Sequence, residues 1–486
     1  MDVTQQKSVD QAAIQEGEVV FLRSVKEVGR LLYHFVGIGG SGMSGLAEML
    51  HNRGYQVSGS DRVESAATLK LRRRGVTVNI GHDKSYLDDK LDCLVFSAAV
   101  PADNPELMWA RERGIKVRKY AEMLGEFSRQ IDTIAIAGTH GKSTTTAWLA
   151  YSLHRAGRDP SFVIGAEVEQ LGGSSGAGLG KQLVVESCEY DRSFLNLHPW
   201  AAAILNIEID HLDYYRDLAE IIEVFGEFAG RVSPNGLIVA NGADMNVLEA
   251  LAGYEGRCEY FSIDGAAQWQ VGDLTYRQGH GEFDLIYEGQ SLGRVKLSMA
   301  GQHNVANALA VAALAHESGL SNGEICAGLE GFTGAGRRMS YRGEVGGVII
   351  LDDYAHHPTE IKVTLAAIRA KYEPKRLWCV FQPHQHSRTR FLLQEFAGSF
   401  GDADIILLPE IFFVRDSETL KRQINAEQLA EKICEQGGQA HYLGDFGKIA
   451  DYLTENVKSQ DVIVTMGAGD VWKLTDELME RLRRDY

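Results

Sequence analysis

The stretch GTHGKSTTT (residues 138–146) follows the apolar run TIAIA and leads into a segment with helical apolar spacing. A glycine-rich turn between a strand and a helix lets successive backbone N–H groups converge on phosphate oxygens. Here Gly138 and Gly141 permit that approach, Lys142 adds a point charge for the β/γ-phosphates, and the Ser143 hydroxyl is a ligand for Mg²⁺. The full G-x-x-x-x-G-K-[ST] pattern would place its first glycine at position 136; Ile136 stands there, so Gly138 serves the close approach. Two carboxylate-bearing stretches, VVESCEYD and LNIEIDH, come directly after apolar runs. In open α/β sheets the carboxyl ends of strands face the ligand crevice. Glu189 is therefore placed to ligate the Mg²⁺ that Ser143 holds, and His211 to serve a second metal or orient its ligand.

Two further groups of polar residues sit at strand ends. In DDYAHHP (352–358) the adjacent His356 and His357 point to opposite faces of an extended segment and would not grip one ion. In FQPHQHSRTR (381–390) Arg388 and Arg390 suit a carboxylate or phosphate, which a guanidinium binds bidentately. HFVGIGGSGMSGL (34–46) carries Gly37, Gly39 and Gly42 as G-x-G-x-x-G, ordinarily a nicotinamide or flavin dinucleotide signature. Asp61, 24 residues after Gly37 and at the end of the next strand, supplies the acidic ribose partner such a site wants.

The elements that must position these groups form three α/β blocks. The first has strands at 31–38, 55–61, VTVNIG and 93–100, with helices from Ser41 to about Arg53 and over ATLKLRRRG, whose basic run forms a solvated face. The second opens at residue 131, with strands over 181–191 and 201–211 and an antiparallel stretch near 257–300. The third, from about Tyr341, has strands in GVIILDDYAHHP, 376–384, 403–410 and 461–469. Apolar runs alternating with helical periods imply βαβ units and mostly parallel sheets. The glycine-rich GGSSGAGLG (172–180) reads as a flexible loop. The expected division is a polar extension over 1–30, a Rossmann-like domain over 31–128, a P-loop domain over 129–338 and a Rossmann-like domain over 339–486.

Composition agrees. A chain of 486 residues with 44% apolar and 24% charged side chains accommodates about three domains at ~150 residues each. With 49 basic against 66 acidic residues and no basic cluster, a nucleic-acid partner is not expected. Six scattered cysteines without a C-x-x-C pair suit a reducing compartment and give neither a disulfide frame nor a zinc site. The N-terminus lacks an apolar export segment, and no run approaches the ~18 apolar residues of a membrane span. The expectation is a cytoplasmic protein with no membrane partner.

The stretches GIGGSGM (37–43), AGTHGKST (137–144), NIEIDH (206–211), GQHN (301–304), GRR (336–338), DDYAHHP and FQPH with SRTR occur in the order seen in the Mur ligases, and from about residue 30 onward the chain resembles that family, its alanine-adding branch above all. The resemblance implies an ATP- and Mg²⁺-dependent amide ligase of peptidoglycan synthesis that joins L-alanine to UDP-N-acetylmuramate through an acyl phosphate. It implies that Gly138, Thr139, His140, Gly141, Lys142, Ser143 and Thr144 hold ATP phosphates. Ser143 and Glu189 would ligate one Mg²⁺, His211 would lie near a second, and Asn206 near the γ-phosphate. His303 and Asn304 fall where the family contacts adenine, and Arg338 where an arginine reaches phosphate. Gly37, Gly39, Gly40, Ser41, Gly42, Met43 and Asp61 would take the UDP-sugar. Asp352, Tyr354, His356, His384, Arg388 and Arg390 would face the amino acid and product.

Two departures stand out. Where this branch often reads E-A-D-E, the chain has ESCE (186–189), with Cys188 in the aspartate's place. The carbamylated lysine of later-acting relatives is missing: no lysine occurs between 211 and 235, and Gly226 holds its spacing, as in the alanine-adding branch. The nearest alternative is the muropeptide recycling ligase, which adds a preformed tripeptide, but GIGGSGM and FQPHQHSRTR lie closer to the alanine-adding pattern. Joint retention of Lys142, Ser143, Glu189, Asn206 and His211 argues against a nucleotide-binding regulator that has lost turnover.

Overall fold

The computed structural model describes residues 31–414 and 416–485, so the expected extension over 1–30 lies outside the described residues. The chain divides into two compact units, one of residues 50–118 with the segment ending at Gly39, the other of Gly40–Met49 with residues 119 onward. Three sheets of the α/β kind are present, as expected. Among the described residues no helix is long and apolar enough to cross a membrane.

In the first unit the strands run in the order Thr77–Ile80, Gln56–Asp61, Leu32–Val36, Cys93–Phe96, Lys116–Lys119. Parallel pairing joins the first four. Leu32–Val36 is apolar and lies at the centre. Its imidazole, His34, is buried but satisfied by Ser58 and by Glu106 at 3.0 Å. Strand order reverses beside this strand, so the turn that begins at Gly37 (φ +79°) stands at the switch point where such sheets take ligands.

The second unit contains a ten-stranded and a six-stranded sheet. At the centre of the larger, Asp132–Ala137 pairs in parallel with Ala201–Ile204 on one side and Gln182–Glu186 on the other. Three consecutive carboxyl ends therefore open on one crevice. Beyond them Trp269–Arg277, His280–Tyr287 and Gln290–Ala300 form the expected antiparallel stretch. The runs read as strands over 181–191 and 201–211 leave the sheet at Glu186 and Ile204, because their polar ends turn into the crevice instead of continuing the ladder. The 172–180 segment is not wholly a loop: Ser175–Gly176 is an edge strand that pairs antiparallel with Ser161–Val163. In the smaller sheet Val348–Asp353, Val462–Met466, Leu377–Phe381, Ile405–Pro409 and Ala440–Gly444 are parallel, and Ser340–Val345 is an antiparallel edge.

The helix Lys142–Arg155 is buried along most of its length, packed on the large sheet and against Gln302–Glu317 and Asn322–Gly331. Small residues set the spacing: a Cβ on Gly328 would lie 2.5 Å from Ser152 Oγ. Trp148 is fully buried, stacks on Phe332 at 5.5 Å and donates its ring N–H to the Gly328 carbonyl. Trp148→Ala leaves a large cavity between this helix and the Gly328–Phe332 segment and is expected to cost about 3–5 kcal/mol. A clear fall in the urea midpoint of the transition that includes the large sheet checks this; an unchanged midpoint contradicts it.

Candidate active site

The phosphate-loop backbone is shaped by Gly138 (φ +143°) and Gly141 (φ +81°), conformations that side chains disfavour. A Cβ on Gly141 would also lie 2.8 Å from Asn307 Oδ1. The Asn206 amide brackets the loop, accepting from the His140 N–H at 2.7 Å and donating to the His140 carbonyl at 3.1 Å. Thr139 accepts from the Glu208 N–H at 2.8 Å. Asn206 thus holds the loop's form as well as lining its cavity.

Lys142 Nζ donates to the carbonyls of Gly138 (2.5 Å) and Thr139 (2.9 Å) and to Glu189 Oε1 (3.2 Å). Burial opposes its charge, but Glu189 and neighbouring groups outweigh it and raise the lysine above its ordinary range. The Ser143 hydroxyl donates to Glu186 Oε1 at 3.0 Å, and Arg338 Nη2 stands 3.4 Å from the same hydroxyl. The residue expected beside Ser143 was Glu189; the structure puts Glu186 there. Glu186 ends the strand adjoining the loop strand, in register with Ile136, and so lies level with the helix's first turn. Glu189 turns back toward Lys142 and lies 3.5 Å from His211 Nε2. Burial pushes the Glu189 carboxyl up, yet Lys142 and His211 hold it below the usual range. Its buried Oε2 lies 3.0 Å from Lys142 Nζ without hydrogen-bond alignment. A hydroxyl, two carboxylates with one oxygen uncommitted, and an imidazole make a donor set that fits Mg²⁺.

The six-stranded sheet brings a second set of groups to this crevice. Arg388 reaches Asp210 Oδ1 through Nε at 2.9 Å and Nη2 at 2.8 Å, both side chains buried. Burial raises the Asp210 carboxyl, but Arg388 and nearby histidines hold it well below the carboxylate range. His140 lies between Glu360 (Nδ1–Oε1 3.2 Å) and Glu208 (Nε2–Oε2 3.6 Å). Burial works against a charged imidazole there, and the two carboxylates overcome it, pushing His140 up to about 9. Glu208 moves the other way: burial raises it, but His140 brings it to about 2.

A cavity of about 290 Å³ adjoins the loop, lined by His140, His303, Asn304, Arg338, Asp353 and Glu360 among others. Burial lowers His303 to about 4, so its ring is neutral. Asn304 donates its amide to the Ala300 carbonyl at 2.7 Å while facing the cavity. The ring of Tyr354 lies beneath the Arg338 guanidinium at 5.0 Å. His356 packs edge-on against Tyr354 and faces His384, whose ring stacks on Phe412; burial takes His356 down to about 4. His357 points elsewhere, toward Ile209 and Glu208, so the two histidines diverge as their adjacency requires.

Two residues expected to face substrate are placed differently. Asp352 is 2% exposed, with its oxygens taken by Arg337 Nε (2.9 Å) and Thr465 Oγ1 (2.9 Å), and it is Asp353 that meets the cavity. Arg390 is exposed and donates to Gln423 at 2.6 Å. Glu186, Glu208, Asp210, Asp353 and Glu360 are site groups that sequence reasoning did not single out; Glu186, Glu208 and Asp210 share the strand-end stretches that gave Glu189 and His211, and Glu360 stands four residues after His356 on a Pro-initiated helix. In the other unit, the Gly39 N–H donates to Asp61 Oδ2 at 2.8 Å. Gly40, which falls in the second unit with the helix that follows, accepts from Ser44; Ser41 to Met43 start that helix with Gly42 in its first turn, and Met43 is buried.

Comparisons with known proteins cover the same segments. The Mur ligase family catalytic domain matches residues 32–131, the Mur ligase middle domain residues 136–315, and the Mur ligase glutamate ligase domain residues 337–469. The UDP-N-acetylmuramate–L-alanine ligase of Acetivibrio thermocellus is 41% identical over 92% of this chain and 95% of its own length. The enzyme of that name from Geotalea daltonii is 42% identical over 93% and 98%. Among solved structures, the UDP-N-acetylmuramate–alanine ligase of Thermotoga maritima superposes with a TM-score of 0.76 at 25% identity, covering 94% of this chain and all of that one. A murein peptide ligase from Psychrobacter arcticus gives 0.67 at 27% identity, over 93% and 99%.

The His140 ion pairs carry a pH signature. The imidazole is raised from 6.5 to about 9, so its stabilisation is complete below 6.5 and is lost as pH rises through about 9. Glu208 is lowered from 4.5 to about 2, so its share is complete above 4.5 and disappears only as pH falls toward 2. The melting-temperature difference between the native chain and Glu360→Gln is therefore expected to be largest near pH 6 and to shrink above pH 9. A difference constant across that range rejects the charged pair.

Proposed function

Because the chain belongs to the Mur ligase family, we propose that it joins L-alanine to UDP-N-acetylmuramate at the expense of ATP, releasing ADP and phosphate. The observation that carries this reading is the meeting of Lys142, Ser143 and Arg338 beside Glu186 and Glu189, next to the cavity that Gly141, Thr144 and Arg338 line. Cations and metal-ligating oxygens at one point are what phosphoryl transfer between two anionic partners requires. Relatives of that name, alike over more than nine-tenths of the chain, support the choice of substrates.

A carboxylate is a poor electrophile, so activation precedes amide formation. A lactyl carboxylate oxygen of the sugar attacks the γ-phosphorus, ADP leaves, and an acyl phosphate forms. The free amine of L-alanine then adds to the acyl carbon, and the tetrahedral adduct collapses to amide and phosphate. Lys142 and Arg338 offset charge on the phosphoryl group, while the Gly138–Thr144 backbone orients it. Mg²⁺, when bound, neutralises phosphate oxygens; Ser143, Glu189 and His211 would hold it, with Glu186 against the serine hydroxyl. His303 and Asn304 take the adenine side of the cavity. The Gly37–Met43 turn takes the UDP diphosphate at a helix N-terminus. Tyr354, His356 and His384 form the face toward the amino acid, with Arg388 anchored on Asp210 and so acting as a brace. Packing of His357 and Thr359 on the Ile209 and Glu208 segment limits water around the acyl phosphate.

Purified protein with ATP, Mg²⁺ and UDP-N-acetylmuramate is expected to release phosphate with L-alanine and not with the recycling tripeptide. Release with the tripeptide alone overturns the choice. Lys142→Ala is expected to lose at least ~3 kcal/mol of transition-state stabilisation, a hundredfold or more in kcat/KM. An unchanged rate removes the phosphate loop from the mechanism.

A further inference from the structure

We propose that His140, Glu208 and His357 form a transition-metal site, suited to Zn²⁺, that fastens the phosphate loop to the helix Pro358–Tyr372. One donor atom from each of the three lies within 4.8 Å of the other two. Glu208 Oε2 is 3.6 Å from His140 Nε2 and 3.8 Å from His357 Nδ1. Tetrahedral zinc with bonds of ~2.1 Å sets its ligands ~3.4 Å apart, so the two pairs with Glu208 need to close by only a few tenths of an ångström and the two imidazole nitrogens, within 4.8 Å of each other, by up to ~1.4 Å.

The surroundings favour a metal. His140 Nε2 is buried and has no hydrogen-bond partner. Its other nitrogen, Nδ1, is 3.2 Å from Glu360 Oε1, and His357 Nε2 is 3.1 Å from the Ile209 carbonyl oxygen. With an N–H kept at each outer position, metal binding releases the His140 Nε2 proton to solvent, and each inner nitrogen then offers its lone pair beside Glu208. This is the carboxylate and carbonyl support that orients histidine ligands of metals. The Thr359 hydroxyl donates to Glu208 Oε2 at 2.6 Å and fixes that carboxylate in turn. At His357 the contact a metal would displace is weak, the Thr359 N–H reaching Nδ1 at 3.3 Å, and at His140 the ion takes the place of the Nε2 proton that faces Glu208.

Two imidazoles and one carboxylate select Zn²⁺ or Co²⁺ over Mg²⁺, which prefers oxygen. The three share no side chain with the Ser143, Glu186, Glu189 and His211 set. His140 and Glu208 also line the nucleotide cavity, from which a water or anion supplies the fourth ligand. Since His140 and Glu208 belong to the large-sheet half and His357 to the small-sheet half, the ion binds only when the two are together and stabilises that arrangement. The inference stands on this geometry and does not depend on which amino acid is ligated.

The test uses the untagged full chain, stripped with chelator and held in excess Mg²⁺ to occupy the oxygen-rich site. Titration with Co²⁺ is expected to give one equivalent with the visible bands of four-coordinate cobalt, discharged by Zn²⁺, and Zn²⁺ is expected to raise the melting temperature. His357→Gln and Glu208→Gln are each expected to weaken Co²⁺ at least tenfold, while His441→Gln, at an exposed histidine, leaves it unchanged. Glu360→Gln keeps all three ligands and removes the negative charge beside His140 Nδ1, along with that beside His356, which is not a ligand; it is expected to weaken Co²⁺ about tenfold or more, and it decides the matter if a ligand variant fails to fold. No four-coordinate spectrum, or equal affinity in native chain and Glu360→Gln, overturns the site.

Discussion

The arrangement of the crevice depends on the buried ion pair of Asp210 and Arg388. Asp210 belongs to the segment leaving the central strand Ala201–Ile204, and Arg388 to the short helix His386–Phe391 of the other sheet. With both side chains almost fully enclosed, neither charge can find water, so the pair forms whenever these surfaces meet, and removing one partner strands the other. Asp210 Oδ1 also accepts the N–H of His211 at 2.6 Å. His211 sits at φ +54°, a conformation a non-glycine residue keeps only when its surroundings impose it. The ion pair is one such constraint, and its result is an imidazole turned toward Glu189.

A second consequence concerns charge. The crevice holds six carboxylates, Glu186, Glu189, Glu208, Asp210, Asp353 and Glu360, in a chain whose formal charge is already −17. Two phosphate-bearing ligands cannot enter such a place unless cations are already distributed through it. Lys142 lies against Glu189, Arg388 against Asp210 and the protonated His140 against Glu208 and Glu360, while the Arg338 charge lowers Asp353 and Glu360. Asp353 shows the limit: despite Arg338 and two backbone N–H donors, burial lifts it to about 6.

Much of this was legible in the chain, and what was not has a common cause. The phosphate loop is local chemistry: glycines, lysine and serine in phase between strand and helix declare themselves. Strand ends bearing Glu189, Asn206 and His211 follow from the rule that carboxyl ends face the crevice. The pairing of Ser143 with Glu186 does not follow, because it depends on register, which sets Glu186 opposite Ile136. Asp352 and Asp353 repeat the lesson. Side chains alternate along Val348–Asp353, and register places Asp352 beside Thr465, on the face closed by Arg337, leaving Asp353 to the cavity. An error of one residue exchanges structural and site roles. Glu208 and Glu360 are coupled through His140 across 152 positions of chain, a distance no local pattern spans.

The first-unit turn shows how one motif serves more than one cargo. A G-x-G-x-x-G sequence with a downstream acid would suit a dinucleotide, the acid bonding to a ribose hydroxyl. Here Asp61 already accepts the Gly39 N–H at 2.8 Å and the Val63 N–H at 3.3 Å, so it shapes the turn that would receive a diphosphate. A Cβ on Gly39 would fall 2.9 Å from the same carboxylate, so the missing side chain is what lets that bond form. The acid thereby fixes the backbone on which phosphate recognition rests. That role requires no nicotinamide, and it serves a UDP-sugar equally well.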